Sequence, residues 1–172
     1  GLVGSEMCIR DRKNTHEGGT YNRDIVRYSR NGNEVSGYAS RYRRKKNGQV
    51  SESDTVLHAI GMTVDMLSVF YYLRTIDFAD MAVGSEIHLN VFSGKKVEKL
   101  RVRYDGIETI KIEKKAWQAY HLSFAFTHNG EQSSDSMSTW ISADDNRIPI
   151  KLEGILALGK VHAYFTGAQN AE

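Results

Sequence analysis

Hydrophobic and polar positions in this chain follow two periods, and they are unevenly shared. From Glu86 onward, apolar side chains recur every second residue. Ile87, Leu89 and Val91 alternate with Glu86, His88 and Asn90. Leu100, Val102 and Tyr104 alternate with Lys99, Arg101 and Arg103. Tyr120, Leu122, Phe124 and Phe126 alternate with His121, Ser123 and Ala125. Successive strand side chains point to opposite faces, so each segment reads as a strand with one buried side. Strands are predicted over 86–92, 97–104, 107–113, 117–127 and 137–142. Ile148, Ile150 and Leu152 mark another, with Pro149 facing outward at an edge or bulge. A last strand covers 156–165 and is kinked or broken at Gly159. Nearer the N-terminus, residues 13–20 read as loop and 21–29, 34–44 and 49–58 as strands. Asn31-Gly32, Asn47-Gly48 and Asp105-Gly106 supply turns, and 129–136 is an exposed loop.

Only residues 65–74 (DMLSVFYYLR) look helical. Met66, Phe70 and Leu73 fall at i, i+4 and i+7 on one face, and Met62 extends the stripe. Thr63 or Asp65 caps the start by accepting from free first-turn N–H groups. One helix among eight to ten strands predicts a mostly β fold. The expected architecture is a curved antiparallel meander or partial barrel with one short helix packed against it.

Composition narrows the function classes. A net charge of +2 over 172 residues gives no reason to expect nucleic-acid binding. No run approaches 18 apolar residues, so no transmembrane helix is expected. The basic run RYRRKK, residues 41–46, is either an anion site for phosphate or a lipid headgroup, or a solvated strand end. Residues 1–12, GLVGSEMCIRDR, resemble a recurring translation of sequencing-adapter DNA and are set aside as a non-native leader. The single cysteine, Cys8, falls inside them. Residues 13–167 are then one β domain lacking its own N-terminal part, and 168–172 a tail.

Catalytic and metal patterns are weak. Asp77, Asp80, Asp105, Asp144 and Asp145 all sit at expected turns, where aspartate belongs for conformational reasons. Asp144-Asp145-Asn146 shares residue types with a calcium loop but lacks its spacing, central glycine and closing glutamate. His16, His58, His88, His121, His128 and His162 show no zinc-ligand spacing. No catalytic residue, metal ligand or cofactor is assigned. Phe70, Tyr71, Phe78, Tyr120, Phe124 and Trp140 either fill the core or line an apolar pocket between helix and sheet.

A group of motifs resembles the DUF3108 family, in the form found in exported proteins of Bacteroidetes. Asp65 and Ser68 take the places of its D-x-x-S helix start, followed by Arg74, Asp77 and Gly84. Its W-x-S-D-D-x-x-R/H-x-P-V turn is met by Trp140, Ser142, Asp144, Asp145, Arg147, Pro149 and Ile150, with Ala143 inserted or standing for an aspartate. A family position often held by cysteine is taken by His121 or a neighbour. The resemblance covers about residues 21–167 and implies a mostly β exported protein of the periplasm or outer membrane. It implies no reaction. The expected function is non-enzymatic binding of a lipid or other apolar ligand, or of an envelope protein partner. The alternatives are an enzyme on an envelope substrate and a purely structural module.

Overall fold

A computed structural model describes residues 9–132, 137–156 and 159–167. The expectation of a mostly β protein with one short helix holds. Among the described residues there are twelve strands and one helix, and the sheets are open rather than closed into a barrel. The chain divides into two compact units. The first holds Gly1–Met66 and Leu89–Lys99, the second Leu67–His88 and Leu100–Glu172.

The first unit is built on a four-stranded antiparallel sheet of β1 (Ile9–Glu17), β2 (Thr20–Asn31), β3 (Glu34–Arg44) and β4 (Val50–Ile60), in that order. The segment read as loop, 13–20, is thus mostly strand β1, paired with β2 from Ile9↔Tyr28 to Glu17↔Thr20. Its polar residues hid the strand, because only burial on one face makes period two visible in hydrophobicity. Val26, Tyr28, Val35, Ala39 and Leu57 project from one face of this sheet and pack against Phe92. Phe92 comes from the hairpin of β6 (Glu86–Ser93) and β7 (Lys96–Ile112), whose tip belongs to this unit.

Short β5 (Thr63–Asp65) pairs with β6 in parallel, Thr63↔Asn90 to Asp65↔Phe92. The expected all-antiparallel meander is therefore interrupted once. Asn90, expected to face solvent, is buried. Its Nδ2 donates to Ile60 O at 2.9 Å, and its Oδ1 accepts from Lys99 Nζ at 2.7 Å. Thr63 also belongs to this crossing rather than to a helix cap.

In the second unit, α1 (Ser68–Leu73) is shorter than residues 65–74, and its N-cap position is Leu67 with no side-chain cap. The buried stripe is Val69 and Leu73, at i and i+4, with Phe70 partly covered. Met66 is 36% exposed, so the expected Met66–Phe70–Leu73 stripe is rotated by about one residue. A six-residue helix without a cap cannot stand on propensity, so packing holds it.

The strands of this unit run β12 (Gly159–Tyr164), β11 (Pro149–Leu156), β10 (Met137–Ser142), β8 (Lys115–His128), then β7 from Leu100 on and β6 up to His88, with β9 (Glu131–Gln132) pairing β8. The predicted turn at Asp105-Gly106 is absent, and β7 runs through it for 17 residues. Asp105 and Glu108 nevertheless share a face. Asp105 accepts from Ser123, and Glu108 meets His121, two residues before Ser123 on β8. An odd separation on one face requires one extra residue, a bulge. Gly106, at φ +114°, provides it. Pro149 likewise sits at a register shift opposite Ile141, inside the sheet and not at its edge. The strand expected over 156–165 is the end of β11 and all of β12, paired Leu156↔Gly159.

Candidate functional site

Three places gather polar chemistry. The first is on the four-stranded sheet. Strand register sets Lys13, Asp24, Arg41 and Ser53 in one cross-strand row, and Thr15, Asn22, Arg43 and Ser51 in the next. This is the face that carries Val26, Val35, Ala39 and Leu57 at its other end. Phe92 covers the apolar end, and the polar rows stay open. With Glu17 and with Lys95 from the hairpin tip, they line a concavity of about 580 Å³.

Within it, Arg41 is committed. Its Nε donates to Asp24 Oδ1 at 2.6 Å and its Nη2 to Oδ2 at 2.8 Å. These bonds raise the Arg41 pKa further, against burial, which acts the other way. Lys13, Arg43, Lys95 and Glu17 form no ion pair with any described residue. The rest of the RYRRKK run goes elsewhere. Tyr42 and Arg44 lie on the opposite face, where Arg44 stands over Tyr21 and Arg23 over Tyr42. Lys45 donates to Gln49 at 2.9 Å.

The second place is the Asp144–Arg147 turn. Ser142 Oγ donates to Asp144 Oδ1 at 2.7 Å, and the N–H groups of Asn146 and Arg147 donate to the same oxygen. The Ser142 hydroxyl above all holds the Asp144 carboxyl below the ordinary aspartate range; burial opposes it, and the Arg147 and Asn146 N–H groups add to the lowering. Arg147 donates to Ile76 O and reaches Asp77 at 3.4 Å, while Arg74 donates to Asn146 O at 3.0 Å. The motif residues Arg74, Asp77, Ser142, Asp144 and Arg147 therefore form one clasp between this turn and the segment after α1. Each polar group is used in fixing the backbone, which is a structural employment.

The third place lies across β7, β8, β10 and β11. The Trp140 ring stacks on His121 at 4.6 Å and 3°, and Lys151 Nζ stands 4.1 Å from its centroid. Trp140 Nε1 donates to Glu108, which also lies 3.7 Å from His121 Nδ1. His121 comes from one neighbouring strand and Lys151 from the other, so both faces of the indole are covered. The ring cannot serve as a stacking platform for a ligand.

The six aromatic residues named from the sequence do not converge on one space. Phe70 meets Phe124 at 6.0 Å. Phe78, fully buried, meets Tyr104 at 5.7 Å and Tyr120 at 5.4 Å. Burial, with Tyr120 adjacent, pushes the Tyr104 phenol up. Trp140 pairs with His121, so it projects from the sheet face opposite Tyr120 and Phe124. Tyr71 is 67% exposed. Of the concavity residues, Arg41 and Arg43 belong to the basic run singled out in the sequence, whereas seven others, Lys13, Thr15, Glu17, Asn22, Asp24, Ser51 and Ser53, carry no apolar alternation to mark them. Their signal is polar alternation, Lys13-Thr15-Glu17 against Ser51-Ser53.

Among the described residues, no three His, Cys, Asp or Glu side chains stand together to hold a metal ion. No helix among them is long and apolar enough to cross a membrane, which says nothing of crossing by strands.

These features define a mostly β protein with an open polar concavity and a turn clasped through Ser142, Asp144 and Arg147. The chain belongs to the DUF3108 family, a protein family of unknown function, whose model it matches over residues 9–166. No curated protein and no solved structure matches it.

Proposed function

We propose that this chain is an exported protein of the cell envelope that binds a ligand without transforming it. The ligand is a polar or amphipathic envelope constituent, lipids included. The observation that carries this reading is the concavity of the first unit. It offers hydroxyl, amide and cationic groups left uncommitted by the fold, on a sheet that holds their positions. Asp24 is occupied by Arg41 and Glu17 stands without a second acid beside it, so the lining supplies recognition rather than an acid–base pair. The envelope assignment is supported by the motifs shared with exported members of the family. Protein–protein association at the same rim is compatible with this reading.

Native mass spectrometry of the full-length protein purified from its own envelope tests the proposal. A retained small molecule, or uptake of added envelope lipid extract, is the expected result. A clean apoprotein that takes up nothing would sink it. Fractionation that places the protein wholly in the cytoplasm would remove the compartment.

A further inference from the structure

We infer that the concavity of the first unit recognises a phosphorylated sugar or polyol, free or presented as a lipid headgroup. This rests on the binding reading above and names its ligand class. Four cationic side chains, Lys13, Arg41, Arg43 and Lys95, face two carboxylates, Glu17 and Asp24. Asp24 and Arg41 satisfy each other through two short bonds and form a fixed neutral floor. That leaves Lys13, Arg43 and Lys95 as available cations against Glu17. Such a surplus selects an anion. The planar Arg43 fork suits two oxygens of one phosphate, and the lysines add point charge.

The remaining lining selects more than charge. Thr15, Asn22, Ser51 and Ser53 donate and accept, and Glu17 accepts only. A lone phosphate has no use for a carboxylate acceptor or for so many hydroxyls. A sugar or polyol carrying the phosphate uses both, donating its hydroxyls to Glu17 and Asn22. Strands lie about 4.8 Å apart, so two rows across four strands present a patch about 14 Å long. That length takes a sugar phosphate lying along the row.

Other occupants fit less well. A repeating polyanion would meet Glu17 and Asp24 and would find no aromatic ring among the lining residues, since Tyr21 and Tyr42 face the other way. An alkyl chain would meet no apolar side chain in the lining. A lipid would therefore engage by its headgroup.

The test is titration calorimetry on the purified chain with glucose 1-phosphate, glucose and inorganic phosphate. Glucose 1-phosphate is expected to bind, and the other two at least about tenfold more weakly. Arg43→Gln and Lys95→Gln should each weaken it about tenfold or more, the scale of a lost charge-assisted contact. Arg23→Gln, on the opposite face, should leave affinity unchanged. Arg43→Gln and Lys95→Gln should melt with the wild type, since neither side chain supports a described ion pair, while Arg23→Gln loses a contact over the Tyr42 ring and should melt slightly lower.

Cosedimentation separates the two sources. Binding to phosphatidylcholine vesicles doped with phosphatidylinositol 4-phosphate, lost in Arg43→Gln, supports a lipid headgroup. Binding of soluble glucose 1-phosphate without vesicle association supports a free sugar phosphate. Equal binding of glucose and its phosphate overturns the inference, as does affinity unmoved by Arg43→Gln and Lys95→Gln. So does a chain that binds neither glucose 1-phosphate nor doped vesicles. If native mass spectra still show a retained molecule without phosphate, this inference fails while the binding reading survives.

Discussion

Replacing Gly37 by alanine puts a single methyl group at the most confined of the described glycines. Gly37 sits mid-strand in β3, between Tyr28 and Leu57 on the neighbouring strands. A Cβ there would stand 2.6 Å from Phe92 Cε2, 2.8 Å from Phe92 Cδ2 and 3.4 Å from Val26 Cγ1. The ring has little room to retreat. Phe92 is 3% exposed and stacks on Tyr28 with centroids 5.4 Å apart at 11°. Two effects oppose each other. Alanine restricts the unfolded chain and so stabilises by about 0.4–1 kcal/mol. Overpacking costs about 1–3 kcal/mol, and displacing the ring forfeits part of a stacking contact of about 0.5–1.5 kcal/mol. Sterics should win, with Gly37→Ala destabilising by about 1–3 kcal/mol.

The assay is urea unfolding followed by far-ultraviolet circular dichroism. Tryptophan fluorescence is unsuitable, because Trp117 and Trp140 both belong to the second unit. The decisive arm repeats the substitution in a Phe92→Leu background, where the obstruction is smaller. There Gly37→Ala should be neutral or stabilising, giving a coupling of about 1–3 kcal/mol. A Gly37→Ala that stabilises the wild-type chain, or costs the same in both backgrounds, refutes the packing argument.

Three further outcomes are expected. Arg147→Lys keeps the charge but loses the fork that reaches both Ile76 O and Asp77, and should cost about 1–2 kcal/mol in urea midpoint measurements; an unchanged midpoint would show the clasp to be idle. Asp144 has a folded pKa below its unfolded one, so its contribution is present above the ordinary aspartate value of about 3.9 and is lost as pH falls through the depressed value; Asp144→Asn should flatten the acid limb of stability against pH, and an identical acid limb would contradict this. Gly106→Ala forces a side chain onto φ +114° and should lower stability by about 1–3 kcal/mol in thermal unfolding, whereas no loss would mean the bulge relaxes freely.

Strand positions in this chain were legible wherever one face met a core. The bounds of β3 and β10 follow directly from alternation and turn chemistry, and α1 was found from its period although its stripe is Val69–Leu73. Where both faces are buried or both are wet, alternation carries no information. Asn90 illustrates the first case, because β6 is covered on both sides from Leu89 to Phe92. Strand β1 illustrates the second. Asp105-Gly106 shows a different limit, since a glycine at positive φ serves a bulge as well as a hairpin turn, and pairing partners far along the chain decide which. The motif residues of the 140–150 segment were legible, but their employment was not. That Arg74 and Arg147 would brace one turn depends on residues 71 and 72 positions apart coming together. The concavity shares that dependence, as it takes side chains from four strands and a hairpin tip.

The discontinuous makeup of the first unit bears on how the chain emerges from the ribosome. Phe92 and Val97, which complete its apolar face, are synthesised after the whole of α1 and the connector that follows it. Four strands released earlier must wait with Val26, Val35 and Leu57 uncovered until that later hairpin arrives. A nascent chain stalled about thirty residues beyond Met66, with the four strands out and the hairpin still inside the exit tunnel, should therefore be more protease-sensitive and more chaperone-dependent than one stalled about thirty residues beyond Lys99.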